Sequence, residues 1–162
     1  MKTFCMKMYP SQIERLHNQF QDIENILSTI DTRRILIRPQ PEKWNIHDNI
    51  AHLVSYQPVF IERIHQILDQ DEPAFNRYVA DVDPEFEKCR SMNLISLIQQ
   101  LHVDRKTIND WMNVLTETQL KRTGVHPKFG SLDLVQWTEF FLLHESHHIF
   151  TIFRLAYDME LG

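Results

Sequence analysis

Apolar residues recur every three to four positions along four stretches of this chain, with polar residues on the opposite side of each. In the first, Ile13, Leu16, Phe20, Ile23, Leu27 and Ile30 keep that spacing, while Glu14, Arg15, Asn18, Gln21 and Asp22 fall outside it. This is the pattern of an amphipathic helix. Ser11 with Glu14, behind Pro10, makes a capping box that starts it. It fades near residues 31–34, and Pro39 and Pro41 then push their predecessors out of the α region. The second stretch is Ile46, Ile50, Leu53, Gln57, Phe60, Ile64 and Ile67, capped by Asn45 with Asp48. Pro58 predicts a kink there, because it cannot donate to the carbonyl of Val54. Leu94, Leu97, Ile98, Leu101, Ile108, Trp111, Met112 and Leu115 mark a third helix, interrupted on its apolar side by Asp104.

The fourth helix is capped by Ser131 and runs to about Tyr157. Its seam is Trp137, Phe141, His144, His148, Thr151 and Leu155. Leu132, Val135, Phe140, Leu142, Leu143 and Ile149 add apolar surface elsewhere, and a helix apolar around most of its girth is buried on more than one side. It is expected to face the core and a second copy of the chain together, with the first helix as the other candidate dimer surface.

The connections decide how these helices assemble. Residues 69–90 are acidic, contain Pro73 and Pro84 and the aromatics Phe75, Tyr78 and Phe86, and are too long for a tight turn. They read as a crossover between helices two and three, with room for a short helix. Residues 116–130 hold Gly124, His126-Pro127 and Phe129-Gly130 and lead to the last helix. Three glycines in the whole chain argue against a turn-rich β architecture. The expected fold is all-α, a four-helix bundle in up-down-down-up order, as a single domain over residues 1–162.

Composition narrows the function. The formal charge is −5 with no basic stripe, which excludes nucleic acid and disfavours an anionic membrane surface. No apolar run approaches the ~20 residues that span a bilayer. The first seven residues lack the apolar stretch of a signal peptide. Cys5 and Cys89 lie far apart, at neither metal nor redox spacing, and read as free thiols in a reducing cytoplasm.

Nine histidines are many for this length. His144 and His148 are one helical turn apart on an apolar face, where unpartnered rings would each cost roughly 1–3 kcal/mol. A metal ion shared with a third ligand satisfies both. Residues 144–148 spell His-Glu-Ser-His-His, the H-E-x-x-H pattern of zinc peptidases. A peptidase needs a further ligand downstream, however. The extended motif wants glycine at 151 and histidine at 154, where this chain has Thr151 and Arg154, and only Glu160 remains beyond as an acid. The third ligand is therefore sought upstream. His52 leads, one position from the apolar row of helix two, followed by His102, with His17, His47, His65 and His126 as alternatives. His147 projects about 100° away from His148 and is expected at the surface or behind the ligands. Glu145 is the candidate proton acceptor beside the metal, with Glu139 and Asp104 behind it.

The segment Trp44-Asn45-Ile46-His47-Asp48-Asn49-Ile50-Ala51-His52-Leu53 resembles the tryptophan-to-AHL signature of the DinB/YfiT-like superfamily. Asn45 stands where a serine is usual there. Phe60-Ile61-Glu62-Arg63-Ile64 resembles its continuation. Residues 124–132 are similar to the family's approach to its last helix, and His144-Glu145-Ser146-His147-His148 to its histidine pair. The resemblance runs from about residue 10 to 157 and implies a bundle of the order given above, often dimeric. It also implies a divalent metal, zinc or nickel, on His52, His144 and His148. The implied activity is S-transfer to or from a low-molecular-weight thiol, with hydrolysis of a small ester or amide, or non-enzymatic metal or ligand binding, as alternatives.

Overall fold

The computed structural model describes residues 8–159, so Cys5 and Glu160 lie outside the described residues. The elements in chain order are α1 (Pro10–Asn18), α2 (Gln21–Leu27), α3 (Ile46–Asp69), α4 (Pro84–Arg90), α5 (Leu94–Met112) and α6 (Glu117–Leu120), then β1 (Thr123–His126), β2 (Gly130–Asp133) and α7 (Leu134–Ala156). The result is a helical bundle with a small hairpin. Its four long segments are α1 with α2, α3, α5 and α7, and α3 packs against both α5 and α7. Among the described residues no helix is long and apolar enough to cross a membrane.

The first helix is not continuous. At Gln19 and Phe20 the backbone stays in the α region, but Asp22 bonds back to Gln19 and Ile23 to Phe20, three residues apart, and this tightening divides the segment. Apolar periodicity cannot register such a change, because Leu16, Phe20 and Ile23 remain buried across it. Tyr9 rather than Ser11 is the cap, with Pro10 in the first helical position, where a missing N–H costs nothing.

The start of α3 follows the sequence. Asn45 Oδ1 accepts from the Asp48 N–H at 2.8 Å, and Asp48 Oδ2 accepts from the Asn45 N–H at 3.2 Å. The buried Asp48 carboxylate also receives Arg38 at 2.8 Å and Arg90 at 3.0 Å, which ties the loop before α3 and the end of α4 to the same helix start. The helix runs through Pro58 without ending. The crossover contains α4, capped by Asp83. Cys89 on α4 is a buried free thiol, pushed up to about 11 chiefly by burial.

The hairpin is what the glycine argument overlooks. Residues 123–126 pair antiparallel with 130–133, and the crossover joins β1 at an isolated bridge through bonds between Pro73 and Val125 and between Phe75 and Val125. Gly124 is required by that packing: a Cβ there would lie 2.6 Å from the Phe75 ring and 2.8 Å from Ile67. Ser131 is consequently a strand residue bonded to Glu72, and Asp133 caps α7 in a box with Gln136.

Two apolar clusters fill the interior. One gathers Ile46, Ile50, Leu53, Phe86, Leu97, Leu101 and Ile152; the other Leu16, Phe60, Ile64, Ile108, Trp137 and Phe141. A polar layer separates them. Each long segment contributes one member, namely Gln19, Gln57, Arg105 and Glu145, joined by hydrogen bonds through the Arg105–Glu145 pair.

Candidate metal centre

His52 on α3 and His144 and His148 on α7 converge because those helices pack together. One ligand atom from each lies within 4.8 Å of the others. His52 Nε2 and His144 Nε2 are 3.0 Å apart, and the ring centres are separated by 4.4–5.0 Å. Trp44, Tyr78 and Phe86 surround His52, and Tyr56 lies 4.5 Å from His144 between ring centres. His52 is 4 % exposed and His148 9 %, so this aromatic cup disfavours charge. Burial, reinforced by neighbouring rings, pushes His52 down to about 3, His144 to about 4 and His148 to about 2. All three rings are therefore neutral at neutral pH, the form that ligates a cation.

The hydrogen bonds show which nitrogens are free. Asn49, 2 % exposed, donates its amide N–H to the Asn45 carbonyl at 2.8 Å, which turns its Oδ1 toward His148 Nδ1 at 2.9 Å. His148 must then carry its proton on Nδ1 and present a lone pair on Nε2. His52 and His144 have Nδ1 atoms buried without a protein partner, and their Nε2 atoms meet only each other. Among the described residues no Asp or Glu joins this cluster. Three Nε2 atoms without further protein partners, on neutral rings, suit a divalent cation of the zinc or nickel type.

The alternative histidines are placed elsewhere. His47 bonds the Met92 carbonyl, His102 pairs with Glu24, and His65 packs edge-on against Trp111. His126 Nδ1 accepts from the N–H groups of Lys128 and Phe129 in the hairpin turn. His147 is exposed at the rim of the cluster. Glu145, expected beside the metal, instead enters the polar layer, where its fully buried carboxylate binds Arg105 and accepts from Gln19 at 3.0 Å. The helical step of one residue from His144 carries it around α7 and away from the rings. Glu139 pairs with Arg15, and Asp104 accepts from Gln100.

Asn49 is the residue that sequence reasoning missed. Its position three before His52, on the same side of a capped helix, was the available signal. Asn49→Ala is expected to weaken metal binding by roughly 10–100-fold, as loss of a ligand-orienting partner does. Competition against a chelator of known affinity checks this, and an unchanged affinity would mean that His148 needs no orienting partner.

A capped bundle presenting three inward histidines from two packed helices carries a candidate metal site. Residues 15–152 match the model of the DinB superfamily, and the chain belongs to that family. Its fold is similar to that of YfiT from Bacillus subtilis, described as a probable metal-dependent hydrolase with an unusual four-helix bundle topology. The TM-score is 0.78 at 18% identity, over 94% of this chain and 87% of that one. No curated protein sequence matches.

Proposed function

We propose that this chain is a metal-dependent S-transferase, holding zinc or nickel on His52, His144 and His148 and acting on a small thiol. The cation would supply positive charge that lowers the pKa of a nucleophile beside it. The observation that favours a thiol is the lack of a carboxylate among the described residues of the cluster, with Glu145 committed to Arg105. Water on such a cation would fall to a pKa of about 7, but hydrolysis ordinarily still uses a carboxylate or histidine to pass that proton to the leaving group. A thiol starts at about 8.5 and can lose its proton to solvent. Its sulfur then bonds to an electrophilic carbon as the leaving group departs with the bonding electrons. Trp44, Tyr78 and Phe86 line the histidines with apolar surface, which suits a sulfur nucleophile better than a strongly hydrated oxygen anion.

Hydrolysis of a small ester or amide is the second reading, supported by the description of the YfiT neighbour as a probable metal-dependent hydrolase. One assay separates them. Metal-loaded protein is given a thiol with monobromobimane and, in parallel, a nitrophenyl ester. Conjugation faster than the uncatalysed reaction, abolished by chelation, is expected. Chelator-sensitive ester cleavage without conjugation would transfer the assignment to a hydrolase.

A further inference from the structure

A cleft of about 1090 Å³ runs between residues 34–44 and the C-terminal half of α7, and His148 and Asn49 belong to its wall. It is large enough for one small-molecule substrate. Its wall is divided by chemistry. Trp44, Ile37, Leu155 and Met159 provide apolar surface, while Arg34, Arg38, Lys43 and Arg154 provide cations. Two of these cations are already matched. Arg34 pairs with Asp158, and Arg38 pairs with the buried Asp48. Lys43 is solvent-exposed.

Arg154 differs from the others. It is half-buried, among the described residues no side-chain hydrogen bond or ion pair engages its guanidinium, and its Nε, like that of Arg34, is a buried donor without a partner there. A partly desolvated guanidinium with no anion beside it among the described residues, in a ligand-sized cleft, is a place that an anionic group fills favourably. Arg154 lies six residues beyond His148, about 9 Å along the helix axis at 1.5 Å per residue. Long helical side chains lean toward the N-terminus, which brings the guanidinium closer to the histidines than that figure.

We propose that Arg154 receives the carboxylate of a substrate whose reacting group lies at His52, His144 and His148, joined to it by a short apolar stem along Trp44 and Leu155. A monoanion fits better than a phosphate dianion, because Glu42 and Asp158 in the same wall temper the positive field. A guanidinium also matches a planar carboxylate with two parallel hydrogen bonds. The inference rests on the metal-site reading above and specifies the substrate class for it.

Calorimetric titration of the zinc-loaded full chain with mercaptohexanoate, mercaptohexanol, plain hexanoate and inorganic phosphate tests it. The thiol acid should bind about tenfold more tightly than the thiol alcohol, the factor ordinarily lost with one charge-assisted hydrogen bond. Arg154→Gln should erase that difference by weakening the acid alone, and Arg154→Lys should restore part of it. Equal affinity of the two thiols for the wild-type chain overturns the carboxylate assignment and leaves the thiol reading intact. If neither thiol binds but hexanoate does, and Arg154→Gln abolishes that binding, the carboxylate site stands and the thiol reading falls. No binding of any of the four overturns both. Phosphate binding more tightly than hexanoate, with the same dependence on Arg154, also overturns the carboxylate assignment. Should Arg154→Gln fail to fold, the acid–alcohol comparison in Arg154→Lys decides, an undiminished gap removing Arg154 from the site.

Discussion

Glu145→Ala is expected to lower the free energy of unfolding by about 3–5 kcal/mol, the loss typical when one partner of a buried ion pair is removed. Glu145 and Arg105 are both 0% exposed. Without the carboxylate, Arg105 would keep its charge between the rings of Phe20 and Phe141, 4.9 and 5.1 Å away, with only the Leu16 carbonyl and Gln57 as acceptors. The pair itself contributes little beyond what a well-packed apolar pair would, so Arg105→Met with Glu145→Leu should recover most of the lost stability. Glu145→Gln, which keeps an acceptor for Gln19 but no charge for Arg105, should fall between. Urea unfolding monitored at constant m measures all three. The outcome also separates two roles for this residue. A Glu145→Ala variant as stable as the wild type but inactive would return the carboxylate to the chemistry and contradict its place in the bundle's polar layer.

That placement shows where sequence reading succeeds and where it stops. The capped start of α3 was legible because Asn45 and Asp48 are neighbours in the chain, and a capping box is a local interaction. His144 and His148 stood out as histidines set in an apolar seam, whereas His52, one position off its apolar row, was only the leading candidate to join them, and packing of α3 on α7 brings the three rings together. Arg105 and Glu145 were not, since charges 40 residues apart reveal their pairing only once α5 and α7 are packed. Read alone, Glu145 beside a metal-ligand histidine looks like a proton acceptor; packed, it is the counter-ion of Arg105. The hairpin was missed for a different reason. Its strands have four residues each, too few for alternation to show, and their partner in the crossover is about fifty residues away. The Ser131 cap was an attractive local solution displaced by the better box of Asp133 and Gln136 two residues later.

His148→Ala is expected to leave the purified chain without its divalent ion while the bundle stays folded. Loss of an orienting partner such as Asn49 costs roughly 10–100-fold in affinity, and loss of the ligand itself must cost more. His52→Ala and His144→Ala should behave alike, because removing any one ring leaves only two donors. His147→Ala is the control: it is exposed, one residue from His148 and on a different side of α7, so its removal should leave metal content unchanged. The fold should tolerate the change at 148, since two large apolar clusters and the Arg105–Glu145 layer are built from other residues. Elemental analysis of dialysed protein, beside a thermal unfolding curve, reads both effects. Stoichiometric zinc or nickel retained after His148→Ala would remove that ring from the centre, and retention after all three single changes would remove the centre itself. Loss of metal confined to these three, with His147→Ala unaffected, would tie binding to the geometry in which α3 and α7 bring the rings together.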